Sequence, residues 1–203
     1  MIKIGITGSI GMGKTTVSNM FKILKIPVFD SDQQVKEILE KDRDIIEKIS
    51  KIWPETVFFH MKQKTINKIL LGNKIFKSNK DRKKLERLIH PIVRNERDNF
   101  IENSKSSSLV GLDIPLLYET GTNKNCDYVF LVNASRKIQK SRVLKRPNMT
   151  EEKFMLINNS QWTFEKKVKE KPFVITTSYG KIVTFLVVFF YLLIIKIRGK
   201  VNE

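Results

Sequence analysis

Residues 8–16 read Gly-Ser-Ile-Gly-Met-Gly-Lys-Thr-Thr, and this short segment is more informative about the fold than any other part of the chain. It fits the Walker A pattern, Gly-x-x-x-x-Gly-Lys-Ser/Thr, without a deviation. A strand pattern at Ile2–Thr7 precedes it, and apolar positions at helical spacing begin at Val17. Glycines let backbone N–H groups turn toward phosphate oxygens, and the N-terminus of a following helix adds positive potential. The segment therefore predicts a loop that holds the phosphates of a nucleoside triphosphate.

Two side chains of this loop have distinct expected roles. Lys14 would neutralise the β- and γ-phosphates, and the Thr15 hydroxyl would bind Mg²⁺. The alternative is a chance glycine-rich turn, which the pattern and its strand–helix context together disfavour. The motif does not identify the group that accepts the phosphoryl. The loop residues predicted to bind ATP are Gly8, Gly11, Met12, Gly13, Lys14, Thr15 and Thr16.

The rest of the chain alternates strand and helix patterns. Short apolar strand patterns recur at residues 27–29, 109–113, 128–132 and 173–175, with helical patterns between them. Such alternation indicates an α/β fold in which helices cover both faces of a parallel sheet. Residues 42–103 are expected to be mainly helical, and Pro91 should kink or restart the helix there.

Carboxylates follow two of the predicted strands, at the edge where parallel sheets bind ligands. Asp30 and Asp32 come after the second strand, where a carboxylate would accept the proton of an attacking hydroxyl. Capping of the next helix explains these carboxylates equally well. If one of them is the base, Asp32 is the better candidate. Asp113 ends the third strand as a Walker B aspartate does, and it would hold Mg²⁺ directly or through water. Taken alone this last signal is weak, because aspartates are common at strand ends.

Gln139, Arg142 and Arg146 are spaced to share one face of a helix. Two arginines stacked by one turn would bind the triphosphate and the charge that develops during transfer. Lysines in the same segment leave a solvated basic face as the alternative. Pro147-Asn148 predicts the turn of a lid. On sequence grounds His90 is more often a packed or hydrogen-bonded side chain than a catalyst.

The composition is that of a folded protein with a strong positive charge. Hydrophobic residues make up 41% and charged residues 29% of the 203 residues, which is too apolar for a disordered chain. The net charge of +17 attracts polyanions, but the lysines are scattered, so a solvated surface is favoured and no nucleic acid is expected. The single cysteine, Cys126, excludes an intrachain disulfide, and the N-terminal apolar stretch is shorter than a secretion signal. We therefore expect a cytoplasmic protein.

The order of these motifs resembles the dephospho-coenzyme A kinase family from residue 1 to about residue 182. The P-loop is followed by Asp-x-Asp at residues 30–32, then Leu-Glu-x-x-x-His-Pro at residues 85–91 and Asp-x-Pro-Leu-Leu-x-Glu at residues 113–119. Gln-x-x-Arg-x-x-x-Arg at residues 139–146 comes next, with a further glutamine at Gln161. The P-loop is shared by many families, whereas the later elements in this order are much more specific.

The resemblance implies a P-loop nucleoside-triphosphate-kinase fold with a single kinase domain at residues 1–182. Its core would be residues 1–30 and 104–182. A mainly helical segment at about residues 31–103 would bind the acceptor, and a lid at about residues 140–160 would close over the site. The implied reaction is ATP-dependent phosphorylation of the ribose 3′-hydroxyl of dephospho-coenzyme A (dephospho-CoA).

The resemblance also implies roles for individual residues. Asp32 aligns with the family's proposed base, and Lys14, Arg142 and Arg146 would stabilise the transferring phosphoryl group. Mg²⁺ is the implied cofactor, and ATP and dephospho-CoA are the implied substrates. The implied metal ligands are Thr15 and Asp113, and the implied acceptor-binding residues are Asp32, His90, Pro115 and Leu116.

Two features depart from the family pattern. Lys171-Pro172 stands where the family usually has Ala-Asp before the last strand. Residues 185–195 are eleven consecutive apolar residues, whereas the usual C-terminal helix is amphipathic. This run is too short to cross a bilayer in the usual way. For residues 183–203 we expect an apolar helix docked on the core and a basic tail, with interfacial membrane contact as the alternative.

Two other functions stay open on the sequence alone. The first is another P-loop small-molecule kinase, such as one that acts on a nucleoside monophosphate. The second is a nucleotide-gated protein that binds nucleic acid or a membrane through its basic surface, although the chain lacks the interleaved basic and aromatic residues of a stacking platform.

Overall fold

The computed structural model describes residues 1–60 and 63–201, which include one parallel sheet and one antiparallel hairpin. The sheet has the order β2-β5-β1-β6-β7, and each neighbouring pair is parallel. The hairpin pairs β3 with β4. This architecture confirms the predicted α/β fold. The strands are β1 (Ile2–Thr7), β2 (Val28–Asp30), β3 (Val57–His60), β4 (Gln63–Ile66), β5 (Leu109–Asp113), β6 (Tyr128–Asn133) and β7 (Phe173–Thr176).

Helices connect the strands and end the described chain. None of the helices in the described ranges is long and apolar enough to span a membrane. The helices are α1 (Lys14–Ile23), α2 (Ser31–Lys41), α3 (Arg43–Ile52), α4 (Lys68–Lys77), α5 (Asn79–Asn103), α6 (Arg136–Leu144), α7 (Glu151–Asn159), α8 (Phe164–Val168) and α9 (Lys181–Val201).

The chain divides into two compact units, of which the first is Met1–Asp30 together with Asn103–Glu203. This unit contains the five-stranded sheet. All five residues of β5 are buried, as expected for a strand covered on both faces. Phe21 of α1 packs edge-on against Phe130 of β6, with ring centroids 5.6 Å apart. The helices α1 and α9 both contribute apolar side chains to this core, which holds the loop between β1 and α1 in place.

The second unit, Ser31–Glu102, contains the hairpin and the helices α2 to α5. Its core includes Ile45, Ile49 and Trp53, which recur at helical spacing on α3 and just after it. The helix α5 continues through Pro91 as one helix, so the predicted restart does not occur. The hairpin formed by β3 and β4 was not anticipated from the sequence.

Candidate active site

The loop between β1 and α1 lies at the carboxyl edge of the sheet, and two of its glycines have left-handed backbone conformations. The φ angles are 79° at Gly11 and 95° at Gly13, which side-chain-bearing residues rarely adopt. A Cβ atom on Gly11 would lie 2.5 Å from Cγ2 of Val143, and one on Gly13 would lie 2.9 Å from Oγ1 of Thr177. Both positions therefore require glycine, for reasons of conformation and of space.

Asp113, at the end of β5, joins two residues of α1. Its Oδ1 accepts a hydrogen bond from Nζ of Lys14, and its Oδ2 accepts one from Oγ of Ser18 at 2.5 Å. The side chain of Asp113 is only 1% exposed. Burial raises the pKa of Asp113 above its ordinary value of 3.8, although Lys14 and Ser18 oppose this rise. Asp30, which pairs with Asp113 across β2 and β5, adds to the rise through its charge.

Arg142 on α6 connects the phosphate-binding loop to the end of β7. Its Nη1 donates to Oγ1 of Thr177 at 2.8 Å, and its Nη2 donates to the carbonyl oxygen of Thr177 at 3.0 Å. The Thr177 hydroxyl in turn donates to the carbonyl oxygen of Met12 at 2.7 Å. The guanidinium is therefore held in one orientation beside the loop, as recognition of a phosphate requires.

Two glutamines hold the backbone of Ile10 in the loop. Nε2 of Gln139 donates to the carbonyl oxygen of Ile10 at 2.9 Å. The backbone N–H of Ile10 donates to Oε1 of Gln161 at 3.0 Å. Gln139 also donates to Oδ1 of Asn158 at 3.3 Å. Residues 139 and 161, which flank the predicted lid segment (residues 140–160), thus both bond to the phosphate-binding loop.

A cavity of about 330 Å³ opens beside the loop, and six of the predicted ATP-binding residues line it. Arg146 is one of the six, but α6 ends at Leu144, so the two arginines do not lie on one helix face as predicted. The cavity is lined by Gly11, Gly13, Thr15, Thr16, Arg142 and Arg146, together with Thr177, Gly180, Lys181 and Thr184.

Glu119, the last residue of the motif at residues 113–119, contacts two residues that follow the predicted lid segment. Its Oε1 accepts a hydrogen bond from the backbone N–H of Trp162 at 2.7 Å and lies 3.1 Å from Nζ of Lys167. The Lys167 side chain is fully buried. The ring of Trp162 stacks on Tyr118 with centroids 6.0 Å apart, and burial raises the pKa of Tyr118 to about 12. These contacts fix the residues after the predicted lid segment to the loop that follows β5.

The predicted acceptor-binding residues fall in both units. In the first unit, the carbonyl oxygen of Pro115 accepts a hydrogen bond from Oγ1 of Thr7 at 3.0 Å. The next residue, Leu116, accepts one from Thr120 through its own carbonyl oxygen. In the second unit, Asp32 lies in the first turn of α2 and is exposed. The His90 side chain on α5 is also exposed, so it is not the packed histidine that sequence statistics favour.

Several side chains at the site were not predicted from the sequence. Ser18 follows Lys14 by one helical turn, and this spacing alone does not distinguish it from other polar helix residues. Thr177 directly follows β7, so the rule that ligands bind at the carboxyl ends of strands would have indicated it. The ion pair between Glu119 and Lys167 joins residues far apart in the chain, and no local pattern predicts it.

The family model described as dephospho-CoA kinase matches residues 2–181. The chain belongs to the dephospho-CoA kinase family. Curated dephospho-CoA kinases from Zymomonas mobilis and Agrobacterium fabrum are 38% and 37% identical to it. The alignments cover 86% and 89% of this chain, and 87% and 91% of those two proteins.

Solved structures agree with the kinase fold of the dephospho-CoA kinase family. A Thermus thermophilus protein superposes with a TM-score of 0.82 at 27% identity, covering 95% of this chain and 96% of that one. Dephospho-CoA kinase from Campylobacter jejuni superposes with a TM-score of 0.68 at 22% identity, covering 99% and 98%. Shikimate kinase from Acinetobacter baumannii, at 17% identity and a TM-score of 0.52, covers 98% and 94%. The last two likenesses concern the fold alone.

Proposed function

We propose that this protein is a dephospho-CoA kinase, which transfers the γ-phosphoryl group of ATP to the ribose 3′-hydroxyl of dephospho-CoA. The observation that carries this proposal is the family match over residues 2–181 in a chain whose P-loop and Arg142 line one cavity. A nucleoside monophosphate kinase, which the P-loop by itself allows, is disfavoured by that match.

The triphosphate would bind in the cavity beside the P-loop. Backbone N–H groups at the start of α1 point positive potential at the phosphates. Lys14 would exchange its bond to Asp113 for the β- and γ-phosphate oxygens. Arg142, which Thr177 already orients, would bind the γ-phosphoryl group and the charge that develops during transfer, with Arg146 beside it in the cavity wall.

Asp32 is our candidate for the general base. It would accept the proton of the ribose 3′-hydroxyl while that oxygen bonds to the γ-phosphorus and the bond from the γ-phosphorus to the β–γ bridging oxygen breaks, so that ADP leaves. The first turn of a helix favours a negative charge, and Asp32 occupies that position in α2. His90, Pro115 and Leu116 are the other residues that we assign to the acceptor.

The oxygen groups near the P-loop suit a magnesium ion. Mg²⁺ takes oxygen ligands and is usually held by one or two protein groups together with phosphate oxygens. The Thr15 hydroxyl lines the cavity and would ligate the ion, and Asp113 would hold one of its waters. Among the described residues no group of three or more His, Cys, Asp or Glu side chains forms a metal cluster. When bound, Mg²⁺ would neutralise charge on the β- and γ-phosphates.

The lid would exclude water, which competes with the ribose hydroxyl as a nucleophile. The bonds of Gln139 and Gln161 to Ile10 support this assignment, because they couple both flanks of the lid to the phosphate-binding loop. We further propose that the enzyme works in the cytoplasm, where ATP is available and where a chain with a single cysteine needs no oxidising compartment.

Release of ADP in the presence of different acceptors tests this function. With ATP and Mg²⁺, dephospho-CoA should support turnover, and AMP or CMP should support none above the background hydrolysis. The Lys14→Met variant should lose at least about 100-fold in kcat/KM, because the phosphates lose a charge that is aimed at them. Lys22→Met, a matched change at the exposed far end of α1, should retain activity. Equal turnover with AMP and dephospho-CoA would reject the proposed acceptor.

A further inference from the structure

The helix α9 is apolar on two opposite faces. One face, with Val188, Leu192 and Ile195, is buried in the core of the first unit. The other face is exposed, and its side chains are between 44% and 79% accessible. We call this set the exposed α9 face: Ile182, Val183, Leu186, Phe189, Phe190, Leu193 and Ile197.

The exposed α9 face is a continuous stripe. At 3.6 residues per turn, its seven side chains fall within an arc of roughly 120° around the helix axis. At a rise of 1.5 Å per residue, the stripe from Ile182 to Ile197 is about 22 Å long. Exposed apolar side chains that occur singly need no explanation, whereas a contiguous patch marks an interaction surface. The stripe lies beyond residue 181, where the match to the family model ends.

Basic residues flank the stripe, and the sequence of α9 contains no acidic residue. Lys181 precedes the stripe, and Lys196 and Arg198 lie at its other end, all three exposed. By the helical angle, Lys196 and Arg198 lie on the two sides of the stripe rather than in its middle. An apolar surface with cations at both margins suits a partner that is apolar in its interior and negatively charged at its surface.

We propose that the exposed α9 face docks on an anionic lipid surface. The apolar side chains would enter the boundary between headgroups and acyl chains, and Lys196 and Arg198 would contact lipid phosphates. The helix would lie in the plane of the membrane surface. An ordinary interfacial helix turns a charged face toward water, whereas the face of α9 that points away from the membrane packs on the protein core. The proposal concerns surface contact and not a span.

Charge favours a lipid over a second copy of this chain as the occupant. Two copies would each bring a net charge of +17, and α9 itself has no acidic side chain to pair with the basic residues of a partner. An anionic membrane supplies both an apolar layer and the opposite charge. The net positive charge of the chain would then strengthen the attraction to the membrane.

Co-sedimentation with vesicles tests the proposal. The full chain should bind vesicles of phosphatidylcholine with phosphatidylglycerol, and should bind pure phosphatidylcholine at least about tenfold more weakly. The triple variant Leu186→Gln/Phe190→Gln/Ile197→Gln should lose binding to the mixed vesicles by about tenfold or more, because the apolar contact is removed. These three side chains are exposed and lie outside the cavity, so kinase activity should persist and report on folding.

The chain offers a matched control on α4. Ile69, Leu70 and Phe76 are the same three residue types and are also exposed. The variant Ile69→Gln/Leu70→Gln/Phe76→Gln should bind vesicles as the unmodified chain does. An equal loss of vesicle binding in both triple variants would show nonspecific hydrophobic adsorption and overturn the proposal. Absence of binding to the mixed vesicles, or binding that the α9 variant retains, would also overturn it. So would a dimer in sedimentation equilibrium that the α9 variant dissociates while vesicle binding is absent, because the occupant would then be a second copy.

Discussion

The ammonium group of Lys14 donates a hydrogen bond to Oδ1 of Asp113, so the P-loop lysine and the aspartate at the end of β5 contact each other directly. Lys14 is 15% exposed and Asp113 is 1% exposed, so the pair sits beneath the surface of the loop. One cation therefore faces a carboxylate that has lost nearly all of its water. Binding of ATP with its metal ion would change the partners of both groups. The stability of the protein should therefore depend on this pair and on whether nucleotide is bound.

Asp113→Asn should lower activity, and its stability relative to the unmodified protein should rise with pH. Because burial raises the pKa of Asp113 above 3.8, the folded protein holds this proton more tightly than the unfolded chain does. Stability from this group is therefore lost as pH rises from about 4 through the raised pKa. Denaturant unfolding of both proteins at several pH values should show the variant gaining relative stability as pH rises from about 4 through the raised pKa of Asp113. A relative stability that does not change with pH, or that falls, would contradict the stated direction of the pKa.

Arg142→Lys should weaken catalysis although it keeps the charge. A lysine cannot make the two parallel bonds that Arg142 makes to Thr177, so its charge would no longer be held beside the loop. We expect kcat to fall by about 100-fold with a smaller rise in the KM for ATP. The matched change is Arg136→Lys at the exposed start of α6, and it should leave both parameters unchanged. Equal kinetics for the two variants would remove Arg142 from the mechanism.

Glu119→Gln should destabilise the protein by about 3 kcal/mol, since it leaves the buried cation of Lys167 without its counter-charge. Urea unfolding measures the change. The double variant Glu119→Gln/Lys167→Met should recover part of the loss, because the buried charge is then removed as well. If the double variant is less stable than Glu119→Gln, Lys167 does not carry an uncompensated charge in the single variant.

The parts of the fold that the sequence predicts are those set by local patterns. The Walker A segment and the apolar strand at Leu109–Asp113 specify the centre of the parallel sheet. Thr150, a residue type that favours the N-cap position, caps α7 by accepting a bond from the N–H of Lys153. Ser135 occupies the N-cap position of α6, but its side chain makes no capping bond. These predictions need only the periodicity and hydrogen-bonding preferences of neighbouring residues.

The parts that the sequence does not predict depend on contacts between distant segments. Thr177 orients Arg142 from 35 residues away, and Asp113 contacts Ser18 across 95 residues. The strands β3 and β4 are four residues long and lie in a segment that otherwise reads as helical. A pattern over four residues is too short to distinguish a strand from part of a helix, so the hairpin was not predicted. The exposed α9 face also needed the structure, because a run of eleven apolar residues does not show which of them the core covers.

Asp32→Asn should remove most of the activity while leaving the fold intact. An amide cannot accept the proton of the ribose hydroxyl, and we expect kcat to fall by 10²–10⁴-fold, the typical contribution of a general base. The exposed Asp44 is the matched control, because it also lies in the first turn of a helix, α3. Asp44→Asn should keep full activity. Retained activity in Asp32→Asn would assign the base to another residue.

The proposed reaction moves the γ-phosphoryl group from ATP to the ribose 3′-hydroxyl of dephospho-CoA. The most direct test incubates the protein with Mg²⁺, γ-labelled ATP and dephospho-CoA, and identifies the labelled product by mass spectrometry and phosphorus NMR. We expect one label per molecule of product, in a new phosphomonoester at the ribose 3′ position. Label that appears only as inorganic phosphate, or on a different acceptor or hydroxyl, would contradict it.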